Sequence, residues 1–229
     1  ANYLKDDLYS VNNYAWGYQD LSRPQSFSIE WDFDISILER IDNFHFEYSD
    51  NKDLKNPIVE DTREKYADVD NLKVGTTYYY RITASVGGKE YPSEIQTFNT
   101  LDNAPRNLNI SGVTNARDLG GYTVGDKRIK QNMIIRSGQF NEHYEESYRP
   151  MITGAGRKYL LNEVGVKTEI DLRWAEDGET NPELGSSIGK EVNYYSLPMD
   201  YEVAGALDTQ KEQIKNVMKV FTKEENYPI

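Results

Sequence analysis

Lys158-Tyr159-Leu160-Leu161-Asn162-Glu163-Val164-Gly165-Val166-Lys167-Thr168-Glu169-Ile170-Asp171-Leu172-Arg173 is the stretch that decides the fold. Leu160, Leu161 and Val164 recur at helical spacing, and Gly165 offers a left-handed C-terminal cap. Val166 to Leu172 then reads as a near-continuous apolar strand of the kind buried in a parallel sheet. The same alternation extends outward. Met133 to Arg136 is a similar short run upstream, and Val192 to Leu197 is a strand downstream. Ile214, Val217, Met218 and Phe221 fall at i, i+3, i+4 and i+7, the apolar stripe of a helix that ends over Thr222 to Asn226. Residues 107–229 therefore read as an α/β domain with a mostly parallel sheet. A crossover helix needs its second strand, and Tyr227-Pro228-Ile229 reads as the start of one, so the domain is expected to be incomplete in this chain, with an exposed sheet edge open to pairing.

Residues 1–104 carry a different period. Phe27, Ile29 and Trp31 alternate with Ser28 and Glu30, and Phe44, Phe46 and Tyr48 alternate with His45 and Glu47. Tyr78, Tyr80, Ile82 and Ala84 alternate with Thr77, Tyr79, Arg81 and Thr83. Each run predicts a strand with one buried and one wet face. Gly87-Gly88 predicts a tight hairpin into Tyr91 to Phe98, because both residues tolerate positive φ. Leu101-Asp102-Asn103-Ala104-Pro105 reads as the linker between an all-β domain and the α/β domain.

Composition narrows the function. The 229 residues carry 26 basic and 38 acidic side chains, a net charge of −12, and no cysteine. Nucleic acid and anionic membrane are poor partners for such a balance, since both are bound by Lys and Arg that release counterions. No apolar run approaches the roughly 20 residues that span a bilayer. Disulfides, thiolate metal sites and a cysteine nucleophile cannot be built from these residues. Absence of cysteine suits an exported or cell-surface bacterial protein, with the cytoplasm as the alternative location.

Asn115-Ala116-Arg117-Asp118-Leu119-Gly120-Gly121 reads as a turn, in which Asn and Asp bond local amides and the glycines permit positive φ. Such a loop can hold Arg117 and Asp118 in fixed orientation. Arg136, followed by Ser137, and the pair Asp171 and Arg173 lie at the C-terminal ends of expected strands, the edge where open α/β sheets bind ligands. Arginines gathered there favour a dianionic phosphate through bidentate bonds. The plain structural reading of each is an ion pair, Arg117 with Asp118, or Arg173 with Asp171 or Glu176.

The second half resembles the bacterial tyrosine phosphatases of the dual-specificity type, through four ordered blocks. These are Asn115 to Gly121, Ile134-Ile135-Arg136-Ser137-Gly138, Lys167 to Arg173, and Asn193-Tyr194-Tyr195-Ser196-Leu197-Pro198-Met199. The resemblance implies hydrolysis of a phosphorylated protein or other phosphomonoester by a cysteine thiolate in a His-Cys-x5-Arg loop, through a phosphocysteine and without cofactor or metal. That loop is absent here, so this chain is expected to be inactive while its parent is an enzyme. The resemblance also implies that Asn115, Arg117, Asp118, Arg136, Ser137, Asp171 and Arg173 shape or brace the phosphate pocket. Asp200 becomes a general-acid candidate, and Tyr201 to Asp208 a candidate lid. The first half, over Ser26 to Thr100, resembles a fibronectin type III or related immunoglobulin-like sandwich. Trp31 and the run Leu72 to Tyr78 carry that resemblance, which implies that the Tyr78 hydroxyl bonds back to upstream backbone.

A competing reading is a surface binding or adhesion protein, in which the sandwich engages a cell-surface partner and the second half is a phosphatase relic. The aromatic residues Tyr3, Tyr9, Tyr14, Trp16 and Tyr18 would then be a partner surface, although edge and core aromatics of a thin sandwich explain them as simply. His45 and His143 lie on different halves without ligand spacing, and His143 reads as part of a surface loop. Glu176-Asp177-Gly178-Glu179 reads as a solvated loop rather than a cation site.

Overall fold

A computed structural model of the chain describes residues 24, 26–33, 41–144, 147–173, 185–199 and 207–226. The N-terminal aromatic residues up to Tyr18, the acidic run at 176–179, Asp200, the 201–206 part of the candidate lid and Tyr227-Pro228-Ile229 lie outside them. The described residues form two compact units, Pro24–Leu108 with Leu119–Gln131, and Asn109–Asp118 with the residues from Asn132 onward.

The first unit is built almost wholly from antiparallel strands. Its larger sheet runs in the order β3 (Ile58–Thr62), β2 (Ile41–Ser49), β5 (Thr77–Val86), β6 (Lys89–Pro92), and β7 (Gln96–Asn99) also pairs with β5. A second pair, β1 (Phe27–Glu30) with β4 (Tyr66–Val69), completes it. The period-2 alternation places Phe44, Phe46 and Tyr48 of β2 inward, with Phe46 wholly buried. Phe46 and Tyr48 share one core with Ile29 of β1, Ala67 and Val69 of β4, and Tyr78 of β5. Burying six such side chains removes apolar surface from water at about 25 cal/mol per Å2, and neither small sheet could be stable without it.

Two glycines close the β5–β6 turn at φ +57° and +75°, as the Gly87-Gly88 signal predicts. The returning strand is interrupted rather than continuous from Tyr91 to Phe98. β6 pairs with Thr83–Val86 and β7 with Thr77–Tyr80, and Ser93 bridges the break through its amide to the Ile82 carbonyl at 2.8 Å. The Tyr78 hydroxyl accepts the Lys73 amide at 2.9 Å, the backward bond that the run Leu72 to Tyr78 implied, and burial pushes the phenol pKa up.

Residues 119–131 belong to this unit as a small hairpin, β10 (Thr123–Val124) with β11 (Lys127–Arg128). The Gln131 amide pairs with both main-chain groups of Val74, accepting from its N–H at 2.9 Å and donating to its C=O at 3.1 Å. Arg128 adds a bond to the same carbonyl at 3.1 Å and an ion pair with Asp102. Gly121 sits at φ +90°, where a Cβ would lie 2.7 Å from a Val74 methyl group. Its freedom from a side chain is used for close approach to Val74.

In the second unit β15 (Thr168–Asp171) and β16 (Asn193–Ser196) pair in parallel. Between Pro150 and β15 the chain forms α1 (Gly154–Lys158), capped by the Thr153 hydroxyl at the Gly156 amide, and continues through wider π-type turns over Tyr159–Val164. Gly165 ends it at φ +76°, as the sequence requires. Three expectations are corrected. Ile135–Arg136 (β12) pairs antiparallel with Arg117–Asp118 (β9), and Ile134 is 41% exposed, so the Met133 to Arg136 run is a short half-wet strand rather than a buried parallel one. For the same reason the centre of the Asn115 to Gly121 turn is a two-residue strand. His143 lies in the β13 (Asn141–Tyr144) and β14 (Ser147–Pro150) hairpin rather than in a loop.

The last helix, α2 (Leu207–Val220), leaves Ile214 and Met218 about half exposed and buries Val220. Val217 and Phe221 are half-buried, so only part of the expected stripe is turned inward. Asn226 fastens its end to the sheet: Oδ1 accepts from the Thr168 hydroxyl at 3.0 Å and the Asn193 amide at 3.3 Å, the first register pair of β15 and β16. Replacing Tyr78 by Phe leaves the Lys73 N–H without its acceptor and is expected to destabilise the chain by about 1–3 kcal/mol, read as a lowered urea midpoint with unchanged slope; an unchanged midpoint contradicts this account of the Tyr78–Lys73 bond.

Candidate functional site

Strand β15 carries the acids Glu169 and Asp171 two residues apart, hence on the same face. Both are buried, at 8% and 7% exposure. The strand that reads as apolar thus buries its charged residues, and each requires partners.

Asp171 is satisfied by four donors. The Arg173 amide bonds Oδ1 at 3.0 Å, and its Nε lies 2.9 Å from the same oxygen. Arg173 Nη2 and the Tyr194 hydroxyl, the latter at 2.9 Å, both bond Oδ2. Burial alone would raise the carboxyl pKa, but the Arg173 bonds, with help from Tyr194, hold it below the ordinary carboxylate range. Tyr194 moves the opposite way, pushed up by burial and then by the Asp171 charge.

Arg173 reaches further. Nη1 donates to the Asn141 carbonyl and Nη2 to the Asn141 Oδ1, each at 2.9 Å. The Asn141 amide donates in turn to the Ser187 hydroxyl at 2.5 Å. Ser187 N and the Ser186 hydroxyl donate to one Glu169 oxygen at 3.1 and 2.6 Å. Burial pushes the Glu169 pKa up, the neighbouring Asp171 charge adds to the rise, and the two Ser bonds oppose it. The result is a closed polar network: strand end, guanidinium, Asn141, loop 185–189, and back to the strand.

A second group gathers on β9 and β12. Arg117 and Arg136 are direct cross-strand partners, so their side chains share a face. Arg117 Nη2 bonds the Asn115 side chain, with Asn115 held at φ +55°. Arg117 Nε is buried with no hydrogen-bond partner among the described residues. Arg136 is exposed, and neither guanidinium has a carboxylate within ion-pair distance among the described residues. Like charges held opposite one another are destabilising unless something neutralises them.

The remaining expected site residues fall into supporting places. Asp118 is fully buried and accepts the Asn132 amide at 2.7 Å, which closes the neck of the 119–131 excursion. Ser137 turns its hydroxyl to the Gly138 carbonyl at 2.8 Å, and the Gly138 amide bonds Thr114 O at 2.8 Å. Thus Asn115, Arg117 and Arg136 form one cluster, and Asp171 and Arg173 another. Of the two structural pairings weighed for Arg173, Asp171 is its partner; Glu176 and Asp200 lie outside the described residues. Sequence reading missed Asn141, Glu169, Ser187 and Tyr194. Two acids at i and i+2 inside a core strand were the available signal.

The two acids respond to pH in opposite senses. Asp171, lowered in the fold, contributes stability that is present above its unfolded pKa and lost as pH falls through the folded one. Glu169, raised in the fold, contributes stability that is present below its unfolded pKa and lost as pH rises through the folded one. Asp171→Asn is expected to cost about 3–5 kcal/mol at neutral pH by leaving Arg173 without its counter-charge. Glu169→Gln keeps an acceptor for Ser186 and Ser187, and its stability relative to the parent is expected to rise between mildly acidic and neutral pH. Urea unfolding across that range tests both, and a Glu169→Gln difference that is flat or falls with pH refutes the assignment.

Among the described residues no helix is long and apolar enough to cross a membrane. A search of curated proteins returned no match. The model of a family described as the tyrosine phosphatase family matches residues 108–227, just over half of the chain. Those residues include both arginine clusters, the buried acids of β15 and the parallel pair. On that match the chain belongs to the tyrosine phosphatase family.

Proposed function

We propose that the Arg117–Arg136 pair recognises the phosphate group of a phosphomonoester substrate. The observation that carries it is that two arginines are direct cross-strand partners, one with its Nε buried and unpartnered among the described residues. A dianion lying across them neutralises the like-charge contact and accepts bidentate, charge-assisted bonds from planar donors. Asn115 holds the Arg117 guanidinium through a side-chain bond, while Asp171 and Arg173 act as a brace rather than as ligands.

In this reading hydrolysis proceeds through a phosphocysteine. A thiolate attacks phosphorus, the ester oxygen leaves with a proton from a general acid, for which Asp200 is the candidate, and water then releases orthophosphate. The 229 residues contain no cysteine, so they supply recognition and support, and turnover requires a Cys-x5-Arg loop contributed from outside them. The first unit is read as a fibronectin type III-like sandwich, supported by its two sheets on one core and by the backward bond of the Tyr78 hydroxyl to the Lys73 amide. The second is read as a phosphatase-like α/β domain, supported by the parallel pair of β15 and β16.

Calorimetric titration of the chain with orthophosphate or tungstate tests the recognition step. Arg117→Ala and Arg136→Ala are each expected to weaken binding about tenfold or more, the loss of a charge-assisted bond. Equal affinity in the parent and both variants rejects the arginine pair. Joined to a Cys-x5-Arg segment the chain should hydrolyse an aryl phosphate and by itself should not; turnover by the 229 residues alone rejects the phosphocysteine route.

A further inference from the structure

We infer that Asn141 is a positioning residue for the phosphate-recognising segment from Arg136 to Asn141, holding it to the Glu169–Arg173 strand end and to loop 185–189. The inference rests on the phosphate reading of Arg117 and Arg136 and extends it to a residue that touches neither.

The segment leaves β12 at Arg136 and has three anchors. The Gly138 amide bonds Thr114 O at 2.8 Å, close to the Asn115 turn. The Phe140 carbonyl accepts the Met151 and Ile152 amides at 2.9 and 3.0 Å. Asn141 is the third. It is buried, at 7% exposure, and uses both its main-chain and side-chain oxygens on Arg173 while its amide donates to Ser187.

The chemistry at that position is specific. The group there must accept from a guanidinium and donate to a hydroxyl from one planar head. A carboxylate could accept but not donate, and would add a third negative charge beside Asp171 and Glu169. An alanine would remove the Oδ1 acceptor of an Arg173 Nη2 bond and the amide donor to the Ser187 hydroxyl in a buried place. Arg173 explains the direction of support. Of its five N–H groups, Nε, one on Nη1 and two on Nη2 are already committed to Asp171 and Asn141. It has too few donors left for a bidentate phosphate clamp, and its bonds run toward the segment that carries Arg136. A close fit is also built into that segment, since a Cβ on Gly138 would stand 2.7 Å from the Thr114 hydroxyl. Preorganisation of this kind lowers the ordering cost of binding without adding a contact to the ligand.

The test uses the full chain with orthophosphate and tungstate as probes, at a temperature where every variant is folded by circular dichroism. Asn141→Ala is expected to weaken anion binding about three- to tenfold, the cost of ordering one loosened side chain, and Ser187→Ala by a smaller factor. Amide order parameters over Ser137 to Phe140 should fall in the free Asn141→Ala variant and recover when the anion saturates it, a signature that a purely architectural role does not give. Parental affinity and parental order parameters in Asn141→Ala, alongside a loss in Arg136→Ala, overturn the positioning role while leaving the phosphate reading intact. Failure of the parent chain to bind either anion saturably overturns both. Should Asn141→Ala fail to fold, Ser187→Ala decides: a measurable weakening supports the role and parental affinity overturns it.

Discussion

The buried contact between Asp171 and Arg173 is the constraint on which the second unit depends. A carboxylate at 7% exposure cannot stay ionised unless its lone pairs are met. Meeting them draws Arg173 back over the strand end and draws Tyr194 across from the neighbouring strand. With its remaining N–H groups Arg173 then reaches Asn141. An ion pair of this kind adds little net stability over a packed apolar pair, because desolvation offsets most of the attraction. Its value lies in geometry: few arrangements satisfy all partners at once, so strand end, hairpin start and loop 185–189 are held in one relation.

Against this satisfied network, the Arg117–Arg136 pair stands out by contrast. The same unit that meets nearly every need of Asp171 leaves one arginine nitrogen buried and unpartnered among the described residues, and places Arg136 directly across the strand pair from that arginine. Frustrated charge beside well-satisfied charge is the arrangement expected where a ligand completes the electrostatics. The chain's overall charge of −12 sharpens the point, since the local cationic pair runs against the average.

The Asn115 to Gly121 signature divides between two duties. Asn115, Arg117 and Asp118 serve the second unit, whereas Gly121 lies against Val74 in the first. Strand alternation in β2 and the Gly87-Gly88 turn were legible because period and φ are local properties. The Met133 to Arg136 run misled because four apolar residues do not state which partner they will pair with, and an antiparallel mate two residues long covers only part of them. Ile214 and Met218 misled similarly: helical spacing defines a stripe, but not which side of the helix the rest of the unit covers.

Sequence by itself determined that the chain is mostly β in its first half, that Gly165 ends a helix before a strand, that Tyr78 bonds back to the turn before it, and that four blocks carry the family likeness. The first two follow from backbone preferences and spacings written in neighbouring residues, and the Tyr78 bond from the resemblance that the run Leu72 to Tyr78 carries. Tertiary structure alone decided that Arg173 is spent on Asp171 and Asn141 while Arg117 and Arg136 face the same side, and that Gln131 serves Val74. Each of those pairings joins residues between 19 and 57 positions apart, except Asp171 with Arg173. A charge declares its need for a partner in the sequence, but which partner answers depends on which strands the fold brings side by side.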